Sequence, residues 1–237
     1  MQNKLALLFK FALAVPIAVT FLWVGEATLA SEDQKTPRTI SYKPPMVLGR
    51  PNQRIGGGSR GGENAPSIVI LAPEHTGQTI EAQPTLYWST SHVGSKSVYF
   101  TLVYADPQKA MDHPMPLLKV AMPPKEGLQK LNLSKHNVSL EAEVVYKWSV
   151  TVSLDEKQSS KDVVASGTIQ RIQNNLSKQL VAVKPSEYPF IYAEAGLWYD
   201  AFDALTTLVE MQKDDKNSQQ QRVELLKQVG LDKAVNI

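Results

Sequence analysis

The stretch Val144-Val145-Tyr146-Lys147-Trp148-Ser149-Val150-Thr151-Val152-Ser153-Leu154 decides the fold. Its even positions carry Val, Tyr, Trp, Val, Val and Leu, and most of the odd ones carry Lys, Ser and Thr. Successive side chains point to opposite faces of a strand, so one face here is apolar and the other polar. No helical period fits as well. The pattern predicts a long, half-buried strand anchored by Trp148. Such a strand needs a second layer to cover its apolar face.

Working outward, turn residues divide positions 67–172 into seven expected strands: 67–72, 85–90, 97–106, 117–122, 128–133, 144–154 and 163–172. Pro73, Pro84, Gly94, Pro107, Pro114, Pro116, Pro123 and Pro124 fall in the gaps, where a missing N–H or a free φ does no damage to a ladder. Seven short strands in about a hundred residues point to an antiparallel β-sandwich of immunoglobulin or fibronectin type. Trp88 and Trp148 are expected to meet in its core. Beyond 173 the period turns helical: Tyr192, Ala195, Tyr199, Phe202, Leu205, Leu208 and Val209 recur at steps of three and four. Helices are expected over 174–184, 199–213 and 218–229, with Gly196 as a break and Gly230 as a cap. The expected class is therefore α+β, mainly β: a seven-stranded sandwich over 67–172 and a small helical segment over 173–237.

The N-terminal end reads differently. Lys4 and Lys10 precede an uncharged apolar run over 11–25, and Ala27-Thr28-Leu29-Ala30 offers small residues for cleavage. That run is shorter than the roughly 20 residues a spanning helix needs, so residues 1–30 are expected to be a signal peptide, with membrane attachment only if it stays uncleaved. Residues 31–66 hold Pro37, Pro44, Pro45, Pro51 and six glycines, the composition of a disordered linker. Six basic residues and no acidic ones lie between Gln34 and Gly62. Arg50, Arg54 and Arg60 of this arm are candidate contacts for an envelope protein or an anionic surface. Gly56, Gly58 and Gly61 also spell G-x-G-x-x-G, and Ser59 sits in G-x-S-x-G. Both motifs work only between a strand and a helix, and here a Pro-rich coil precedes them.

Tyr192-Ala193-Glu194-Ala195-Gly196-Leu197-Trp198-Tyr199-Asp200-Ala201, the Arg54-to-Gly61 arm, Tyr146-Lys147-Trp148 and Val229-Gly230-Leu231 together resemble the cyanobacterial domain-of-unknown-function family 928. The resemblance implies a secreted or periplasmic protein with no assigned activity, and it carries no catalytic residues with it. Gly196 to Ala201 also looks like the turn of a tetratricopeptide repeat. A single repeat buries its face on a neighbour, so Trp198 and Tyr199 either pack on the β unit or bind a partner.

The formal charge is only +2, which gives no reason to expect a nucleic-acid partner. The chain has no cysteine, which excludes disulfides, thiolate metal sites, cysteine nucleophiles and a lipidated cysteine anchor. His75, His92, His113 and His136 fall in turns at spacings unlike a helical metal motif. No cofactor or metal is expected. The reading is an exported, noncatalytic binding or scaffold protein of the bacterial envelope, periplasmic or extracellular. A carbohydrate-binding module is the alternative, with Tyr87, Tyr99 and Tyr104 as candidate aromatics. A hydrolase with an unrecognised site would need a pocket joining a His to a Ser or a carboxylate.

Overall fold

In the computed structural model, residues 38–45, 52–56, 65–155 and 157–232 are described. The expected signal segment, Arg50, Arg60 and most of the glycine run lie outside them. The chain is α+β, with two mostly antiparallel sheets and five α-helices among the described residues. The strands are β1 (Ile55–Gly56), β2 (Ser67–Ile70), β3 (Gly77–Thr79), β4 (Thr85–Ser91), β5 (Ser97–Tyr104), β6 (Leu118–Met122), β7 (Gly127–Asn132), β8 (Val145–Ser153) and β9 (Val163–Arg171). The helices are α1 (Pro107–Asp112), α2 (Ser177–Val181), α3 (Tyr188–Glu194), α4 (Trp198–Met211) and α5 (Lys216–Lys227). One sheet runs β1-β2-β4-β7 and the other β3-β9-β8-β5-β6.

Nine strands among the described residues replace the seven expected. The two additions are short. β1 comes from the supposed linker and pairs with β2; β3 comes from a supposed turn and pairs parallel to β9. Two or three residues are too few to show an alternation, so periodicity could not reveal them. β8 behaves as its pattern requires: Tyr146, Trp148, Val150 and Val152 are buried while Lys147 is exposed. It lies between β5 and β9, with Trp148 opposite Leu102 and Gly167. A Cβ on Gly167 would lie 3.0 Å from Ile70 Cγ2 and 3.2 Å from Trp148 Nε1, so any larger residue would have to push those side chains aside by a few tenths of an ångström. Trp88 and Trp148 do share the core, with Phe100 packed between them at 6.0 and 5.8 Å.

The helical segment is continuous with this core. Trp198, Tyr199, Phe202 and Leu205 of α4 join the same buried cluster as both sheets. Trp198 Nε1 donates to the Leu71 carbonyl at 2.9 Å. Trp148 Nε1 donates to the Tyr199 hydroxyl, which donates in turn to the Thr168 carbonyl. Gly196 (φ +79°) turns the chain between α3 and α4 as expected, and a Cβ there would sit 2.8 Å from the Lys43 carbonyl. Gly230 (φ +69°) closes α5 through a Leu231 N–H bond to the Leu226 carbonyl. Asp215, expected in a loop, caps α5 by accepting from the amides of Asn217 and Ser218.

The linker expectation fails at residues 38–45 and 52–56. Ile40 and Tyr42 are buried, and α5 reads the backbone beside them. Gln221 Oε1 accepts from the Ile40 amide, and Gln228 Oε1 from the Tyr42 amide, each at 2.7 Å. Gln228 Nε2 donates back to the Ile40 carbonyl at 3.0 Å. Among the described residues no helix is long and apolar enough to cross a membrane.

Candidate functional site

Three of the five residues proposed for partner binding lie inside the molecule. Arg54 is 9% exposed. Its guanidinium donates to the carbonyls of Val229 (2.7 Å) and Ala72 (3.3 Å) and pairs with Glu74 at 2.8 Å. It clamps the arm to the end of α5 instead of reaching outward. Trp198 and Tyr199 are buried by the fold's own sheets. Arg50 and Arg60 lie outside the described residues. The candidate tyrosines are also partly withdrawn: Tyr87 is buried, whereas Tyr99 and Tyr104 are half-buried beneath Lys119 and Lys109, at 5.7 and 5.4 Å from the rings.

Among the described residues a concave surface lies along the other face of α4. Burial of Trp198, Tyr199, Phe202 and Leu205 turns Asp203, Thr207, Leu208 and Met211 outward at helical spacing. Two cavities, of about 280 and 480 Å³, meet at Asp203 and Thr207, which line both. The smaller is walled by Tyr188 and Tyr192 of α3, edge to face with centroids 6.3 Å apart, and by Glu81, Asp200 and Leu208. The larger is polar, with Lys130 and Asn132 of β7, then Ser134, Lys135 and His136 in the turn that follows.

The groove's polar groups are held from within the fold. Tyr87 donates its hydroxyl to Asp203 Oδ1 at 2.6 Å; burial and that carboxylate push the phenol well above its usual range. Lys130 pairs with Glu210 at 2.6 Å. Asn132 donates to Thr85 Oγ1 and accepts from the Ser134 amide. Asp200 is buried, which raises its carboxyl to about 7 despite the bond from Thr79. Both its oxygens are engaged, Oδ1 by Thr79 Oγ1 at 3.1 Å and Oδ2 by the Ile80 amide at 3.3 Å. It therefore staples α4 to the β3–β4 loop. Burial, then the nearby carboxylates, raise Tyr192 to about 12.

The larger cavity does bring Ser134, His136 and Asp203 to one wall, the juxtaposition a hydrolase would need. The Ser134 hydroxyl, however, donates to Asn132, and Asp203 is taken by Tyr87. No hydrogen bond joins the three into a proton relay among the described residues. His75 bonds the Tyr42 hydroxyl at 2.9 Å through Nε2. Burial and then the Arg54 cation hold its imidazole below the usual range. No three His, Asp or Glu side chains among the described residues are grouped to hold a metal ion.

The sequence carried one signal for this groove. Asp203, Thr207 and Glu210 form a polar stripe at steps of four and three beside the apolar stripe of α4. That stripe reads as an ordinary solvated face until α3 and β7 are seen to wall it in. No curated protein and no solved structure matches the chain. A family model described as Domain of Unknown Function (DUF928) matches residues 55–237, which takes in both sheets and α1 to α5, and the chain belongs to that family.

Proposed function

We propose that this chain is an exported, noncatalytic binding protein of a bacterial cell envelope, of cyanobacterial type. Its two sheets would form an immunoglobulin- or fibronectin-like scaffold elaborated by β1 and β3, and its ligand or partner would occupy the α4 groove. The observation that carries the reading is the meeting of the two cavities at Asp203 and Thr207, with walls from α3, α4 and β7. A concave site with aromatic edges and a few fixed polar groups is what ligand recognition uses. The noncatalytic part rests on the commitment of the perturbed groups. Asp200 and Tyr87 spend their side-chain oxygens on bonds inside the fold, and His75 spends Nε2 on Tyr42. Export rests on the basic, then apolar, then small-residue order of residues 1–30.

A photo-crosslinker in place of exposed Thr207, compared with one at Val181, tests the site in growing cells. A defined envelope component should be captured from position 207 and not from 181. Equal capture at both positions, or retention of the protein in the cytoplasm, would overturn the reading. A glycan is the ligand class favoured by Tyr188 and Tyr192 beside Asp203, because sugar C–H faces stack on aromatic rings while the hydroxyls need fixed acceptors. Retention on cell-wall or exopolysaccharide material should then fall in Tyr188→Ala and Tyr192→Ala, and unchanged retention would remove the glycan reading.

A further inference from the structure

We propose that the tip of the connection between β5 and β6 binds a soft monovalent metal ion, Cu(I), through the thioethers of Met111 and Met115 and the imidazole of His113. The site is separate from the α4 groove and does not depend on it.

The connection is a built excursion. It leaves β5 at Tyr104 and returns at Leu118, and its base is closed by the Leu117 amide on the Leu102 carbonyl at 2.9 Å. α1 occupies its first half and buries none of its residues. Met111 and Met115 are 71% and 78% exposed, and His113 between them is exposed too. Methionine ordinarily fills gaps in cores. Two of them at the tip of one short connection, flanking a histidine, forgo that burial. Packing offers no reason for them to be there.

The tip is also braced. Asp106 caps α1 by accepting from the Lys109 amide, and the His113 amide closes the helix on the Lys109 carbonyl. The His113 ring lies 5.1 Å from the Tyr104 ring, and Lys109 holds the same ring from 5.4 Å while pairing with Glu141 at 3.7 Å. Pro114 and Pro116 directly follow His113 and Met115, and each ring fixes its own φ, which stiffens the loop. Met111 ends the helix two residues earlier. The sequence Met-Asp-His-Pro-Met thus places two thioethers and an imidazole within five residues on a stiffened loop.

The donor set selects the metal. Thioether sulfur is soft and uncharged, and with imidazole it suits copper in its lower oxidation state. Calcium and magnesium need oxygen ligands. With no cysteine in the chain, methionine is its one source of soft sulfur. The event is coordination alone, with no change in oxidation state.

Methionine-methyl NMR on the protein tests the site, first with Ag(I) as a redox-inert substitute and then with Cu(I) under anaerobic reductant and a competing chelator. One equivalent should shift the Met111 and Met115 methyls and leave those of Met122 and Met211 in place. Met211 is a built-in control, because it is 75% exposed yet far along the chain. Zn(II) should move none of them. The double variant Met111→Leu/Met115→Leu should lose at least about tenfold in affinity, the low end of what losing even an outer-shell partner costs a metal site. Met211→Leu should lose nothing. Leucine preserves the apolar tip, so a surface that merely docks on lipid would survive the change, whereas a thioether site would not. A double variant that binds as tightly as the parent, or a Met211 methyl that shifts along with the other two, overturns the proposal.

Discussion

β8 and the arm segments at residues 38–45 and 52–56 pack on the same core, yet the balance of bonds that holds them differs. β8 has a backbone ladder on each side, running from Ser97 opposite Ser153 to Tyr104 opposite Tyr146 on one flank and along β9 on the other. Among its described residues the arm pairs as a strand at Ile55 and Gly56, with isolated backbone bonds at Lys43, Asn52, Gln53 and Arg54. Side chains add the rest of its hold: Gln221 of α5 and the C-cap residue Gln228 grip it from outside, its own Arg54 guanidinium reaches the end of α5, and the His75 and Trp198 rings pack around Tyr42. A ladder spreads its stabilisation over many groups, so no single polar substitution undoes it. Side-chain clamps concentrate theirs, so one substitution can release the arm while β8 stays paired. The asymmetry runs one way, because the arm packs on a core that β8 builds.

The largest effect therefore comes from the β8 side. Trp148→Ala removes a fully buried indole and should cost about 3–5 kcal/mol. It also takes a donor from the Tyr199 hydroxyl, which loosens α4. Urea unfolding should show β8, α4 and the arm lost in one transition at a lower midpoint. A variant that releases the helices first while the sheets persist would mean that the two do not share one cooperative core.

Next comes Asp200, the clamp of α4. Its folded pKa of about 7 lies above the unfolded value of 3.8. The folded state therefore holds a proton that the unfolded state has released between those values, and stability falls as pH rises through that window and levels off above it. The fall is at most about 4 kcal/mol, from roughly three pKa units at 1.36 kcal/mol each. Unfolding measured from pH 4.5 to 8.5 should show this decline in the parent and a flatter line in Asp200→Asn. Parallel lines would mean that Asp200 is solvated enough to ionise freely.

The same contrast explains what could be read from the residues alone. β8 was legible because apolar side chains in strict alternation share one face, and the four inside the strand, Tyr146, Trp148, Val150 and Val152, are all buried there. The α4 stripe was legible for the same reason at helical period. Ile40 and Tyr42 are only two apolar residues among prolines and basic residues, and their burial depends on glutamines more than 180 residues away. Arg54 counted as one of six positive charges, although its burial is set by two backbone carbonyls that no residue type announces. The groove was hidden similarly. Asp203 and Thr207 look solvated on α4, and only the approach of α3 and β7 makes a cleft of them.

Arg54 ranks third. Arg54→Met keeps much of the buried stem but leaves the Val229 and Ala72 carbonyls without their donor, which should cost about 1–3 kcal/mol. Its pairing with Glu74 adds little, because that carboxylate is largely exposed. Arg54→Lys, with one ammonium in place of a fork, should recover only part of the loss. A full recovery in the lysine variant would show that charge, not the forked geometry, holds the arm.

Gln228→Ala is the smallest change and separates the two kinds of bond most cleanly. The side chain exchanges two hydrogen bonds with the arm, accepting from Tyr42 and donating to Ile40, in a partly buried setting. Water can replace part of that, so the global cost should be about 1 kcal/mol. The local effect should be larger than the global one. The Tyr42 amide loses its acceptor and should exchange with solvent through a local opening of the arm, whereas amides of β8 such as Val150 still exchange only on global unfolding. Native-state hydrogen exchange reads both in one experiment. If Tyr42 and Val150 slowed or quickened together, the arm would be part of the same cooperative unit as the ladder, and the distinction between spread and concentrated stabilisation would fail. If Tyr42 alone quickens, the arm is an independently releasable strap whose hold on the core is set by single side chains of α5.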